Sequence, residues 1–382
     1  MLRLWPRVTP GLIPLFLPGP RPMTAQPSAP SPSPSPSPSL ASAATPGNTT
    51  TTTRDGGSVV LPATAAPGAA PAVPRPASTT IVLRDARGGA VPGSAPGIEV
   101  LMLLRSAQAS FMPATYVFPG GTVDQGDADE LAAAGASATE LDGAALARRL
   151  LLGEDERTTA GMAVAALREC LEECGVWLGL DLADGPAGDA MRARLASARV
   201  QLRSGEVKGF GALALSLGLP LATSALWSWS HWVTPMGLPK RFDTRFFIVA
   251  MPAGQTATVD AEETTALAWI TPQDALARHA AGEFDLAFAT RTTLEGLARH
   301  ATVASALAAA RALGEIPVIH PRVSRGAAGA RVVLGPWDHA YAEVGRLDPA
   351  GHGKTASVLT PGQPVQIAPG VQRLTAPNPG RM

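Results

Sequence analysis

From residue 79 onward, apolar residues recur with two spacings, every second position or every third and fourth, and the two kinds of segment interleave. Thr80–Arg84 and Gly97–Arg105 are short β-branched and aliphatic runs divided by Pro-Gly turns, as strands are. Tyr116–Phe118 runs into Pro119-Gly120-Gly121. Trp227, Trp229 and His231 alternate along a further strand, and Arg241–Ala250 makes another. In that strand Arg241, Asp243 and Arg245 share one face, and Phe242, Phe246 and Ile248 the other. Helical spacing marks 161–174, 187–203, 210–217, 271–280 and 290–313, the last rich in alanine. Between the glycine turn and the first of these, Glu130–Ala134 and Asp142–Leu152 predict two helical pieces, either over the mouth of a site or as packing. The pattern predicts an α/β (α+β) fold, a mixed sheet between helices.

The first 78 residues follow neither spacing. Pro, Ser, Thr and Ala dominate, with Ser-Pro repeats from 31 to 39 and threonine from Thr49 to Thr53, so 1–78 is expected to be disordered for want of apolar content. Arg3, Arg7 and the run Leu12–Leu17 suggest a signal peptide, but prolines break the run and no small-residue cleavage site follows. A true start at Met23 or later is the other reading. The longest apolar stretch, Phe210–Ala222, contains Pro220 and falls short of the ~18 residues of a membrane helix.

Charge narrows the function classes. Lys plus Arg equals Asp plus Glu at 31 each, so no global field favours nucleic acid or an anionic membrane. The two cysteines, Cys170 and Cys174, read as small buried apolar side chains, which fits a reducing compartment, the cytoplasm.

The chemistry concentrates at Gly120-Gly121-Thr122-Val123-Asp124-Gln125-Gly126-Asp127 and Arg168-Glu169-Cys170-Leu171-Glu172-Glu173-Cys174-Gly175-Val176. On a helix Glu172 and Glu173 fall to either side of Glu169 within an arc of about 100°, with Leu167, Cys170, Leu171 and Cys174 opposite. Glu169 and Glu173 repel across one turn, and a hard divalent cation is the natural complement. Gly175 supplies the left-handed residue that ends a helix.

These residues resemble the Nudix signature, G-x5-E-x7-R-E-U-x-E-E-x-G-U with U apolar. Residues 168–176 match its second half throughout, with Cys170 as U. The first half departs twice: Asp127 stands where the family has glutamate, and residues 128–167 number 40 where the signature has seven, an insertion of about 33. Such an insertion resembles the coenzyme A diphosphatase branch, as do Leu103-Leu104-Arg105-Ser106 through Phe118-Pro119-Gly120-Gly121, Arg241–Phe247 and Trp269-Ile270-Thr271-Pro272. The tighter signature of bacterial coenzyme A hydrolases, with basic and histidine residues before the glycine loop, is missing.

The resemblance implies a Nudix α/β/α sandwich over 79–315, with the insertion at about 128–160. It implies Mg²⁺ or Mn²⁺ held by Glu169, Glu172 and Glu173, Arg168 tying helix to loop, and Gly120 and Gly121 bringing the backbone close to substrate. The favoured substrate is coenzyme A or acyl-CoA, with ADP-ribose, NADH or a dinucleoside polyphosphate, or a non-catalytic binding domain, as alternatives. Homodimers are frequent in the family. Arg241 and Arg245 are candidates to grip a phosphate bidentately, unless Asp243 pairs with its neighbours. Trp227, Trp229 and Trp232 could stack an adenine or fill the core; His231 and His279 read as ordinary packed or surface residues. The base is open between Glu169, Asp260, Glu262 and Glu263. Residues 316–382 read as an extension, with Pro321 onward and Gly335-Pro336-Trp337-Asp338 a linker packed on the core. Its end, Arg373–Met382, resembles the opening of metallo-β-lactamase-like hydrolases, without their zinc motif.

Overall fold

The computed structural model describes residues 48–52, 58–62, 71–86, 97–133, 141–153, 155–259, 262–326, 329–358, 362 and 364–374. Two strands, β1 (Asn48–Thr52) and β2 (Ser58–Pro62), pair antiparallel inside the segment expected to be disordered. The threonine run that looked unstructured by composition is β-branched throughout, which suits a strand. The main sheet also begins within that segment, at β3 (Arg75–Asp85), where Ala77 and Ser78 are buried. The folded part therefore starts before residue 79. The Ser-Pro repeat, the run Leu12–Leu17 and Met23 lie outside the described residues.

Seven further strands complete the sheet: β4 (Ile98–Arg105), β5 (Tyr116–Val117), β6 (Gly120–Thr122), β7 (Trp227–Val233), β8 (Phe242–Ala250), β9 (Thr264–Ile270) and β10 (Val318–Ile319). Their order is β10-β7-β8-β3-β4-β5, with β6 against β3 and β9 against β4. β3–β8 and β7–β10 run parallel and the other pairs antiparallel, so the sheet is mixed.

Alternate residues of each strand feed two cores. Val82, Leu101, Leu103, Phe247 and Val249 face α1 (Asp127–Ala133), α2 (Gly143–Leu150), α3 (Glu156–Cys174), α4 (Pro186–Arg203) and α5 (Phe210–Leu217). Ile81, Leu83, Val100, Met102, Phe246 and Ile248 face α6 (Pro272–Ala280), α7 (Phe288–Leu297) and α8 (Val303–Arg311). The result is an α/β/α sandwich. The stretch 290–313, expected as one helix, is two: α7 stops at Leu297, and Thr302 begins α8 in a capping box with Ser305. Side-chain to backbone bonding at Thr302 outcompetes the helix propensity of the surrounding alanines.

The helix expected over 161–174 starts at Glu156, capped by Asp155, and is buried along most of its length. The insertion explains this burial: Leu131, Leu146, Leu150 and Leu152 close over α3 in one core. Small residues from Ala160 to Ala166 let α3 lie close to its neighbours; a side chain at Gly161 would meet Val123 Cγ1 at 3.2 Å. Two β3 hydroxyls then fasten the helix to the sheet, Ser78 Oγ donating to Met162 O (2.7 Å) and Thr80 Oγ1 to Ala166 O (3.3 Å).

The boundary expected at 315 cuts through folded structure. β10 extends the sheet, Val323 and Val333 of the hairpin β11 (Arg322–Arg325) and β12 (Arg331–Leu334) enter the second core, and Trp337 stacks on Phe288. After α9 (Tyr341–Leu347), β13 (Pro364–Ala368) pairs with β14 (Val371–Leu374). Most of the Arg373–Met382 stretch lies outside the described residues. Among the described residues no helix is long and apolar enough to cross a membrane.

If the insertion is packing, Leu146→Ala should cost about 2–5 kcal/mol, read from urea unfolding, because it empties a fully buried site. A loss below about 1 kcal/mol would place the insertion outside the cooperative core.

Candidate functional site

The acidic turn of α3 is held from three sides. Gly175 adopts φ +71° and donates to Leu171 O while Val176 N–H reaches back to Cys170 O, closing the helix. Arg199 of α4 donates to Glu172 O (2.9 Å) and Glu173 O (2.8 Å), satisfying carbonyls that a helix end leaves open. Cys170 and Cys174 are free and buried beneath this turn.

Opposite stands the glycine turn. β6 places Gly120 beside Thr79 and Gly121 beside Ser78, and Gly120 N–H donates to Glu173 Oε2 at 2.9 Å. A Cβ on Gly120 would lie 2.4 Å from Ser78 O, and one on Gly121 2.2 Å from Glu169 Oε1. Space disfavours a side chain at both: the backbone of Ser78 and Thr79 fills it at Gly120, and the Glu169 carboxylate fills it at Gly121.

Arg168 joins the two halves. Its Nε and Nη2 donate to the two oxygens of Asp127 at 3.0 Å each, and Nη2 also to Thr122 O at 2.9 Å. Its Nη1 meets Glu169 Oε1 at 2.8 Å and Glu172 Oε2 at 2.9 Å. Asp127, only 1% exposed, additionally accepts from Asp124 N–H (2.8 Å). The shortened acid at position 127 thus reaches the guanidinium in spite of the insertion. Burial opposes the charge of Arg168, but the Asp127 hydrogen bonds and the fields of Glu169, Asp127 and Glu172 outweigh it and raise its pKa.

The glutamates pay heavily for their position. Burial, with a contribution from Glu172 and Glu263, pushes Glu169 up to about 7 against the pull of Arg168. Burial and Glu169 push Glu173 well above the carboxylate range, and burial also raises Glu172. One guanidinium faces Asp127, Glu169 and Glu172, with Glu173 beside them. Among the described residues no three of these acids form a finished metal cage, because Arg168 Nη1 engages Glu169 and Glu172 while Gly120 engages Glu173. Carboxylate oxygens crowded at excess negative charge suit a hard divalent cation, the kind of ion the resemblance implies.

These acids line one end of a cavity of about 860 Å³, with Gly120, Gly121 and Arg168. Arg241 also lines it but donates to Thr234 O (3.0 Å) and Ala72 O (2.8 Å), anchoring the chain. Arg245 is buried and is not among the lining residues; it lies across from His231, whose Nε2 pairs with Asp243. The two arginines expected to grip a phosphate together are therefore not brought together at the acids. Of Trp227, Trp229 and Trp232, the last borders the cavity; Trp229 is core, and Trp227 carries Arg149 and Arg311 over its ring. His279 is buried and bonded to Phe284 O. Glu262 and Glu263 line the cavity, Glu262 paired with Arg203 at 2.6 Å; Asp260 lies outside the described residues.

The residue pattern alone assigns Arg105 no role. A bulge in the β4–β9 register falls between Leu104 and Arg105, and bulges re-aim side chains; here the guanidinium lines the cavity and its field acts on Glu173. Its Nε is buried and has no hydrogen-bond partner among the described residues.

The raised acid at position 169 makes stability depend on pH. Its protonated form is favoured in the folded state, so that contribution is complete below about 4.5 and is lost as pH rises through about 7. In chelator the melting temperature should fall between about pH 5 and about pH 7.5, and Glu169→Gln, which fixes the neutral form, should flatten the decline. A divalent cation should raise the melting temperature most at the upper end; equal pH profiles for wild type and variant would refute the arrangement.

The profile describing the NUDT19 Nudix domain matches residues 74–290. A Caenorhabditis elegans protein that carries the name nudix hydrolase 7 is 28% identical over 178 residues, covering 47% of this chain and 48% of its own. The acyl-coenzyme A diphosphatase NUDT19 of Gallus gallus is 29% identical over 214 residues, covering 47% of this chain and 56% of its own. The chain spans about half the length of the curated relatives it matches. A crystal structure of a Nudix hydrolase from Alicyclobacillus acidocaldarius superposes over 62% of this chain and 96% of its own, at 28% identity and a TM-score of 0.45. By the profile that takes in more than half its length, the chain belongs to the Nudix hydrolases, in the NUDT19 Nudix domain family.

Proposed function

We propose that this chain is a metal-dependent diphosphatase that cleaves a nucleoside diphosphate linked to a second group, with coenzyme A or acyl-CoA the favoured substrate and 3′,5′-ADP and a 4′-phosphopantetheine the products. The observation that carries the reading is the Arg168–Asp127 clamp, which sets three glutamates against the Gly120–Gly121 turn on the wall of a cavity. Glu169, Glu172 and Glu173 would hold Mg²⁺ or Mn²⁺. Such an ion neutralises phosphate oxygens and lowers the pKa of the attacking water.

The chain's own residues do the rest. Gly120 and Gly121 bring the backbone up to the diphosphate, and Arg105, not Arg245, faces it with a guanidinium. The proton of the water goes to Glu169 or to a carboxylate of the later loop, Glu262 or Glu263, all of which line the cavity. The name of the Gallus gallus relative supports the coenzyme A substrate. The substrate is a small molecule, and a reducing, cytoplasm-like compartment suits the two free cysteines.

The test is hydrolysis of coenzyme A, acyl-CoA, ADP-ribose and NADH by the whole chain with Mg²⁺. Glu172→Gln should lower kcat on the best substrate by about two orders of magnitude or more, as removal of several kcal/mol of charge stabilisation would. Undiminished turnover in that variant would overturn the site, and a preference for ADP-ribose or NADH would overturn the substrate. Arg105→Ala should lower kcat/KM by about 10–100-fold with little change in melting temperature, since its guanidinium supports substrate and not the fold.

A further inference from the structure

Glu172 and Glu173 sit in the last turn of α3, whose carbonyls find no partner inside the helix. Arg199 crosses from α4 to supply them. Its Nε donates to Glu172 O (2.9 Å), Nη2 to Glu173 O (2.8 Å), and Nη1 to Thr258 Oγ1 (3.0 Å) and Val259 O (3.4 Å). All the nitrogens of one planar fork are thereby used, toward two different segments of chain. Thr258 N–H adds a bond to Cys174 O at 2.9 Å. Gly175 leaves room for the crossing: a Cβ there would lie 3.2 Å from both Arg199 Nη1 and Thr258 Oγ1.

Thr258 and Val259 belong to the loop between β8 and β9, which goes on to carry Glu262 and Glu263 to the cavity wall. The loop is pinned at that end too, by Ser106 N–H donating to Glu263 O at 2.8 Å. The acids of α3 and the acids of the loop therefore approach the cavity on separate elements, and Arg199 is bonded to both elements. Arg199 itself lines a separate cavity of about 630 Å³ and not the one that holds the acids, so its place is behind the chemistry.

We infer that Arg199 is a positioning residue of this site: it fixes the turn that aims Glu172 and Glu173, and it sets that turn against the loop bearing Glu262 and Glu263. The inference rests on the metal-dependent diphosphatase reading above. Mg²⁺ tolerates little departure from octahedral geometry, so a last turn free to fray would spoil the placing of its carboxylates. A cation of any shape is favoured at the C-terminal pole of a helix, whereas a guanidinium spans these four acceptors at once. Substitution by lysine separates the charge from the fork.

The experiment is equilibrium binding of Mn²⁺ to the whole chain, read from the electron paramagnetic resonance of the free ion, beside kcat and KM on the best diphosphate. Arg199→Ala should weaken Mn²⁺ about tenfold, as loss of a group that orients metal ligands does, and raise the Mg²⁺ concentration for half-maximal rate by a like factor. KM at saturating Mg²⁺ should stay within about twofold. Arg199→Lys should remain about threefold or more weaker than wild type in Mn²⁺ binding. Thr258→Val removes an exposed hydroxyl and leaves the α3 carbonyls bonded; it should lower kcat about threefold to tenfold with Mn²⁺ binding unchanged. If Arg199→Ala does not fold, the lysine and Thr258→Val variants decide. A lowered melting temperature with wild-type Mn²⁺ affinity, full recovery by lysine, or wild-type kcat in Thr258→Val overturns the inference. Hydrolysis that collapses in Glu172→Gln and is untouched in Arg199→Ala leaves the diphosphatase standing and the brace refuted. Mn²⁺ binding weakened in Arg199→Ala, in a chain that hydrolyses no diphosphate, does the reverse.

Discussion

One guanidinium holds the site together. Arg168 touches both the acidic turn of α3 and the loop after the glycine turn, bonding Asp127 across 41 positions of sequence. A charge so buried is stable only when its partners satisfy it nearly completely, and the bidentate geometry does that. The same geometry fixes the register between loop and helix, so the intervening chain need not. Its closure entropy grows only with the logarithm of its length, about 0.6 kcal/mol for each doubling. The insertion then contributes leucines to the core over α3 in place of the solvent a short loop would leave there.

Much of this was legible in the residues themselves. The spacing of Arg168, Glu169, Glu172, Glu173 and Gly175 records a helix end, which is local, and Phe210–Leu217 matches its helix at both bounds. Facts that depend on which face of the sheet looks where were not legible. A period of two groups Asp243 with Arg245, but only the assembled sheet shows Arg245 beside His231 and away from the cavity. Arg105 owes its direction to a bulge, a pairing defect between β4 and β9 that neither strand's sequence announces. Alanine continuity hid the Thr302 cap, and the stretch from Pro321, read as a linker packed on the core, goes further and supplies Val323 and Val333 to that core.

The cavity is electrically divided, and the sheet keeps the division. Acids sit on a helix end, while Arg75 lies at the start of β3 and Lys240 in the bend before β8.

β10 carries a consequence of a different kind. It is the outermost strand beside β7, and it lies beyond residue 290, where the family profile stops. A bare strand edge offers a row of open amides and carbonyls to any passing chain. The portion by which kinship is recognised and the portion that completes the sheet are thus different lengths of polypeptide. A fragment trimmed to the recognised part would retain every acid of the site and yet present an adhesive flank where Val318 and Ile319 had been.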